Sequence, residues 1–249
     1  MPVMPGAEPF ANDGGDVGVL LCHGLTGTPQ SLAPWAHRMA DEGLTVRLPL
    51  LPGHGTRWQD LNMTSWDDWY AAAQRSFDEL GARCRAVVVG GLSMGGALAA
   101  RLAVDRGDQV AALVVVNPAF LADDRRLRVL PVVKHLVPSL AAIGNDIAKA
   151  GSSELAYDRT PLKALHSFVA SWGQTVHDLP KITQPLLVLR SRVDHVVPPR
   201  SSALLLSRVS SKDVTEVVLE NSFHVATLDN DADLIEKTSV EFIHRVTAR

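Results

Sequence analysis

A mostly parallel, doubly wound α/β sheet is the fold class this chain predicts, and three observations predict it. Strand-like and helix-like segments alternate from residue 17 to the C-terminus, the pattern that feeds strands into one sheet with helices on both faces. The strands are continuous apolar runs, as in Val19-Leu20-Leu21-Cys22 and Val87-Val88-Val89, which suits strands covered on both sides. Finally, 249 residues, 46% hydrophobic and 20% charged, suffice for one large core, so residues 1–249 are expected to form a single domain.

In chain order, strands are predicted over Val17–Cys22, Thr45–Leu50, Arg85–Gly90, Val110–Asn117, Pro185–Ser191 and Val214–Glu220. Helices are predicted over Ser31–Glu42, Ser65–Leu80, Met94–Arg106, Arg200–Ser207 and Asp231–Thr247. The second of these opens on Ser65-x-x-Asp68, a capping-box pattern, with Trp66 and Trp69 expected to pack in the core. Pro52-Gly53-His54-Gly55 predicts a turn in which His54 is structural.

The junction of the third strand and third helix carries chemistry. Gly91-Leu92-Ser93-Met94-Gly95 has the layout of a nucleophile elbow, G-x-S-x-G, in which a tight strand-to-helix turn holds a serine hydroxyl clear of the sheet. Glycines on either side let strand and helix approach without a Cβ clash. A serine hydroxyl is a weak nucleophile near neutral pH, so it needs a base, and the base needs an orienting acid. In chain order the acid follows a later strand and the histidine lies beyond the last one. Asp194 and His224 occupy those positions, giving a catalytic set of Ser93, Asp194 and His224.

Other acids and histidines fit less well. The side chain of His195 points away from where Asp194 points, His244 lies in the closing helix, Asp213 precedes a strand, and Asp229 follows the histidine. Acyl transfer also needs donors for the oxyanion. The Met94 N–H and the Leu25 N–H, the latter in the His23-Gly24-Leu25 loop, are the expected pair. His23 is expected to hold backbone. These sites agree on an α/β-hydrolase fold with serine chemistry.

The alternation breaks between Pro118 and about Thr160. An insertion of about 119–160 between two strands reads as a small cap over the site. Its apolar residues, including Leu127, Val129, Leu130, Leu136, Leu140 and Ile143, fit an acyl-chain pocket, with Ile143 taken as a substrate contact. Interspersed Arg125, Arg126, Arg128 and Lys134 allow a transient membrane-interface contact. The alternative is an insertion that simply packs on the body of the domain.

Composition narrows the remaining classes. A net charge of −3 argues against a nucleic-acid partner, which calls for a basic patch. No apolar run approaches the ~20 residues that span a bilayer. Residues Met1 to Phe10 lack the positive region and apolar core of a secretory signal, so a cytoplasmic location is expected. Cys22 and Cys84 read as reduced packing residues. No motif calls for a metal or an organic cofactor.

The segments Gly6-Ala7-Glu8-Pro9-Phe10, Val17-Gly18-Val19-Leu20-Leu21-Cys22-His23-Gly24, Gly27-Thr28-Pro29, Gly91 to Gly96, Glu154-Leu155-Ala156-Tyr157, Asp194-His195-Val196-Val197-Pro198-Pro199 and His224-Val225-Ala226-Thr227-Leu228-Asp229 resemble those of bacterial monoacylglycerol lipases and the related small carboxylesterases. The resemblance implies hydrolysis of monoacylglycerol, a small-molecule lipid ester, to glycerol and fatty acid, with a hydrophobic tunnel under a small cap. It also implies that Glu154 meets the glycerol hydroxyls. A short-chain carboxylesterase, a thioesterase or an acyltransferase would share the catalytic residues and differ in pocket or acceptor. A non-catalytic receptor on the same scaffold would not need all three groups.

Overall fold

The structure, a computed structural model, describes residues 2–142 and 144–248. Its main sheet has seven strands: β1 (Phe10–Asn12), β2 (Val17–Cys22), β3 (Thr45–Leu48), β4 (Ala86–Leu92), β5 (Val110–Val116), β8 (Leu186–Ser191) and β9 (Val214–Leu219). The spatial order is β1-β3-β2-β4-β5-β8-β9. Only β1 pairs antiparallel, against β3; every other pairing in this sheet is parallel.

Side chains of a strand alternate between faces, and here that alternation divides two cores. Val87 and Val89 of β4, with Leu113 and Val115 of β5, enter one core. It is closed by α3 (Trp66–Gly81), α4 (Met94–Arg106) and α6 (Leu162–Asp178). Val88, Val114 and Val116 enter the other, against α1 (Ala33–Asp41) and α8 (Ala232–Thr247). Each fully buried aliphatic side chain contributes about 1.5–3 kcal/mol, so burial on both faces fixes the strand register far more firmly than local propensity. The helix α4 is buried nearly all round, through Ala97, Leu98, Ala99, Ala100, Leu102 and Ala103, as a helix sandwiched between sheet and neighbouring helices must be.

The predicted strands and helices are present with ends moved by a residue or two. Asp68 accepts from both the N–H (2.9 Å) and the hydroxyl (2.8 Å) of Ser65, which fixes the start of α3. Trp69 is fully buried and Trp66 nearly so. Three elements lack an obvious sequence signal. The strand β1 is a three-residue edge, and α2 (Trp58–Leu61) is one turn long. The 17-residue helix α6 begins at Pro161, which caps nothing with its side chain, so no Ser, Thr, Asp or Asn announces it.

The insertion between β5 and α6 contains a 3₁₀ turn (Arg125–Arg128), α5 (Leu130–Val133) and a hairpin of β6 (Ser139–Ala141) and β7 (Arg159–Pro161). Between the hairpin strands the chain reaches back over the C-terminal ends of the main sheet. There Gln30 and Thr28 hold the Ser153 and Leu155 backbone. The helix α7 (Arg200–Arg208) connects β8 to β9. Among the described residues no helix is long and apolar enough to cross a membrane. The thiols of Cys22 and Cys84 are free.

Candidate active site

Ser93 sits between β4 and α4 with φ 57° and ψ −116°, a left-handed conformation that costs a non-glycine residue on the order of 1–3 kcal/mol and is tolerated where the surroundings over-determine it. They do so here. The Ser93 N–H donates to the Val116 carbonyl (3.0 Å), and the Ser93 carbonyl accepts from the Ala97 and Ala119 N–H groups, each at 3.2 Å. A Cβ on Gly95 would lie 1.8 Å from the Cys22 carbonyl oxygen, and one on Gly91 would lie 2.5 Å from the Gly95 carbonyl carbon. Both positions therefore admit glycine alone. Met94 is the first residue of α4 and is fully buried, and the N–H groups of a helix's first turn have no partner within the helix.

Asp194 lies in the loop after β8. One carboxylate oxygen accepts from the Val196 (2.8 Å) and Val197 (2.7 Å) N–H groups, which locks the Asp-His-Val-Val loop onto its own aspartate. The other lies 2.7 Å from His224 Nδ1. Both side chains are almost wholly shielded from solvent, at 2% and 8% exposure. Burial alone would lower the His224 pKa; the hydrogen bond and charge of Asp194, with the charges of Glu154 and Asp146, outweigh it and raise the pKa above the ordinary histidine value. Asn117, after β5, donates through Nδ2 to the His224 carbonyl at 2.8 Å, and its Oδ1 accepts from the Ser191 N–H at 2.7 Å.

The loop after β2 faces Ser93 closely enough that a Cβ on Gly24 would stand 3.8 Å from the Ser93 Cβ. Two buried histidines brace it. His23 accepts the Leu51 N–H through Nε2 (3.2 Å), which leaves Nδ1–H for the Gly24 carbonyl (2.9 Å). His54 Nε2 lies 2.6 Å from the Leu25 carbonyl. Burial, and for His23 also the neighbouring His54, holds both rings neutral: His23 falls well below its ordinary pKa and His54 falls to about 4. Both histidines hold backbone, as expected from their positions.

Ser93, Leu25, His224 and Glu154 line one cavity of about 490 Å³, together with Leu130, Val133, Leu165, Phe168, Trp172 and Val197. Such a cavity, mostly apolar with a few convergent polar groups, is of the size that takes a small ligand. Glu154 lies over the loop after β2, so close that a Cβ on Gly27 would stand 2.4 Å from its Oε1. Burial raises the Glu154 pKa, against the opposing pull of His224. Ile143 lies outside the described residues. Of the expected site residues, Ser93, Asp194, His224, Leu25, Met94 and Glu154 are thus brought to one end of the sheet.

Two residues of this region make contacts that the sequence does not foretell. Asp229 accepts the Phe223 N–H, at 2.8 Å, and those of Ala148 and Lys149 in the insertion, at 2.7 and 2.8 Å. Asp146 sits in the wall of the cavity and contacts the loops of both Asp194 and His224. Its neighbours in sequence carry no motif that points to this.

Comparison with known proteins agrees with the geometry. The chain is 41% identical over 246 residues to a thermostable monoacylglycerol lipase of Bacillus sp. (strain H-257), covering 97% of this chain and 96% of that one. It is 23% identical over 240 residues to a carboxylesterase of Bacillus subtilis (strain 168), covering 96% and 97%. A solved structure described under "LipS and LipT, two metagenome-derived lipolytic enzymes" superposes with a TM-score of 0.95 at 38% identity, covering 98% of this chain and all of that one. The fold is thus that of the α/β-hydrolases, and the family model Hydrolase_4 (Serine aminopeptidase, S33) matches residues 16–231. By sequence match, sheet topology and the serine elbow together, this chain belongs to the Hydrolase_4 family.

Proposed function

We propose that the protein hydrolyses monoacylglycerols through an acyl-enzyme on Ser93. The observation that carries this reading is the junction of Ser93, His224 and a mostly apolar cavity of about 490 Å³ on the chain's own insertion, in a chain 41% identical to a monoacylglycerol lipase over nearly its whole length. His224 takes the Ser93 proton as the oxygen attacks the ester carbonyl, and the Leu25 and Met94 N–H groups bind the oxyanion. Collapse of the tetrahedral intermediate breaks the ester C–O bond, and His224 passes its proton to the leaving glycerol oxygen. Water, deprotonated by His224, then attacks the acyl-enzyme and releases the fatty acid and Ser93. Asp194 holds the His224 tautomer and stabilises the imidazolium.

The apolar wall takes the acyl chain. Glu154, an acidic acceptor beside the oxyanion loop, suits the glycerol hydroxyls. The insertion serves as the cap. Its Val129, Val132 and Leu136 are 55%, 65% and 78% exposed, and with Arg125, Arg126, Arg128 and Lys134 in the same segment they suit brief contact with an anionic lipid surface.

Glycerol release from monoacylglycerols of several chain lengths tests the reading. Di- and triacylglycerols, short p-nitrophenyl esters and an aminoacyl p-nitroanilide run alongside, with Ser93→Ala as the blank. Rapid Ser93-dependent release from monoacylglycerols but not from di- and triacylglycerols is the expected result. Turnover of the short esters alone would move the protein to the carboxylesterases, and turnover of the anilide alone to the aminopeptidases.

A further inference from the structure

Asp146 stands apart from the residues that the proposed mechanism uses. It belongs to the insertion, directly after Asn145, whose φ of 61° turns the chain sharply. Its side chain is 12% exposed. One carboxylate oxygen accepts the N–H of His224 at 3.1 Å and that of His195 at 3.2 Å; the other lies 2.8 Å from His195 Nδ1. Its own carbonyl accepts the Val225 N–H at 3.1 Å. One residue of the insertion therefore clasps the backbone on both sides of the Asp194–His224 pair. Asp229 adds a second clasp two residues on, through Ala148 and Lys149. The His195 ring packs edge-on against Phe223 of the histidine loop, 4.7 Å between centroids.

We propose that Asp146 is a positioning residue for His224, so that the geometry of the base depends on the insertion being docked. The inference rests on the reading of His224 as the general base. An insertion that only shelters the acyl chain has no need of a carboxylate on the catalytic loops. It would contact substrate and leave the base to Asp194 and Asn117. Here the N–H of the base itself is held by the insertion, and undocking would free the His224 backbone on that side. Misplacement of a catalytic group by about 1 Å costs on the order of a hundredfold in rate. The effect therefore belongs to kcat, and to every ester, whatever its chain length.

Charge supplies an independent readout. The acidic groups that act on the His224 ring are Asp194, Glu154 and Asp146. His195 is in direct contact with Asp146, and Lys149 and Asp229 lie on the neighbouring turn. Removing the Asp146 charge withdraws one of the influences that favour the imidazolium, so the acid limb of the rate profile moves to lower pH.

The test compares Asp146→Ala and Asp146→Asn with the wild type, on p-nitrophenyl acetate and on a long-chain monoacylglycerol, across pH. Asp146→Ala is expected to lower kcat about ten- to hundredfold on both substrates, with KM nearly unchanged. Asp146→Asn is close in shape; its amide oxygen accepts the two backbone N–H groups and its NH₂ faces His195 Nδ1. It is expected to recover most of that kcat and to move the acid limb of kcat/KM to lower pH. A rise in KM for the long substrate alone, with acetate turnover untouched, would overturn the proposal, as would an acid limb unmoved in Asp146→Asn. Ser93→Ala in the same assay separates the two failures. If it matches the wild type, the hydrolytic reading falls and the proposal with it. If it is inactive while both Asp146 variants behave as wild type, only the proposal falls.

Discussion

At the scale of the residue, the titration of two histidines divides by environment. His224 is buried against carboxylates, and its pKa is raised above the ordinary value of about 6.5. As the proposed base, His224 must be neutral, so activity is expected to fall as pH drops through that raised pKa, with the acid limb of kcat/KM above pH 6.5. A limb well below it would remove Asp194 as the partner in solution. For stability the sign is the reverse: the raised pKa favours folding below the unfolded value, and that contribution is lost as pH rises through the folded one. His54 is buried among carbonyls with its pKa lowered to about 4. Between pH 6.5 and 4 the unfolded chain holds a proton there that the folded chain does not, so acid destabilises by up to about 1.4 kcal/mol per pH unit for this group. Thermal melts from pH 7 to 4 are expected to fall less steeply in His54→Gln than in the wild type. Replacing Asp194 by Asn, which leaves the shape and misdirects the tautomer, is expected to lower kcat by about 10⁴. These three residues were legible because each lies in a local motif. Asp146 was not, since its partners His195 and His224 are 49 and 78 residues away and a lone aspartate in a loop reads as solvated.

At the scale of the element, the elbow is constrained from both sides, by Gly91 and by Gly95. Gly95→Ala would set a Cβ on the Cys22 carbonyl, and no rotation of a side chain relieves a clash with backbone. Loss of soluble, folded protein is the expected outcome, checked by expression and circular dichroism. Folded and active Gly95→Ala would mean that α4 does not approach β2 as described. The insertion lines the cavity through Leu130 and Val133. Val133→Trp, from α5, fills part of the cavity, and is expected to lower kcat/KM for long acyl chains while sparing acetyl and butyryl esters; a chain-length series reads this directly. The sequence marked α3 and α4 through a capping box and an elbow. It did not mark α6, because that helix is held by burial of Leu162, Ala164 and Phe168 and has a proline where a cap would stand.

At the scale of the molecule, parallel strands all deliver their C-terminal ends to one edge of the sheet, and ligand sites in open α/β sheets form there. That geometry explains why residues from 25 to 224 converge on one edge of the sheet. The contour of the pocket was less legible, since it depends on how the insertion folds back, through contacts such as Thr28 to the Leu155 carbonyl across 127 positions. The same insertion presents Val132 and Leu136 outward. Exchanging both for Glu is expected to slow turnover of monoacylglycerol in anionic vesicles and to leave soluble esters unaffected, as vesicle sedimentation and paired rate assays would show.

The account turns on Ser93, and an acid quench during turnover of a long-chain monoacylglycerol interrogates it most directly. Digestion and mass spectrometry are expected to find the acyl mass on the peptide that contains Ser93, with no adduct and no glycerol release in Ser93→Ala. An acyl group on another residue, or glycerol released at the wild-type rate by Ser93→Ala, would contradict it.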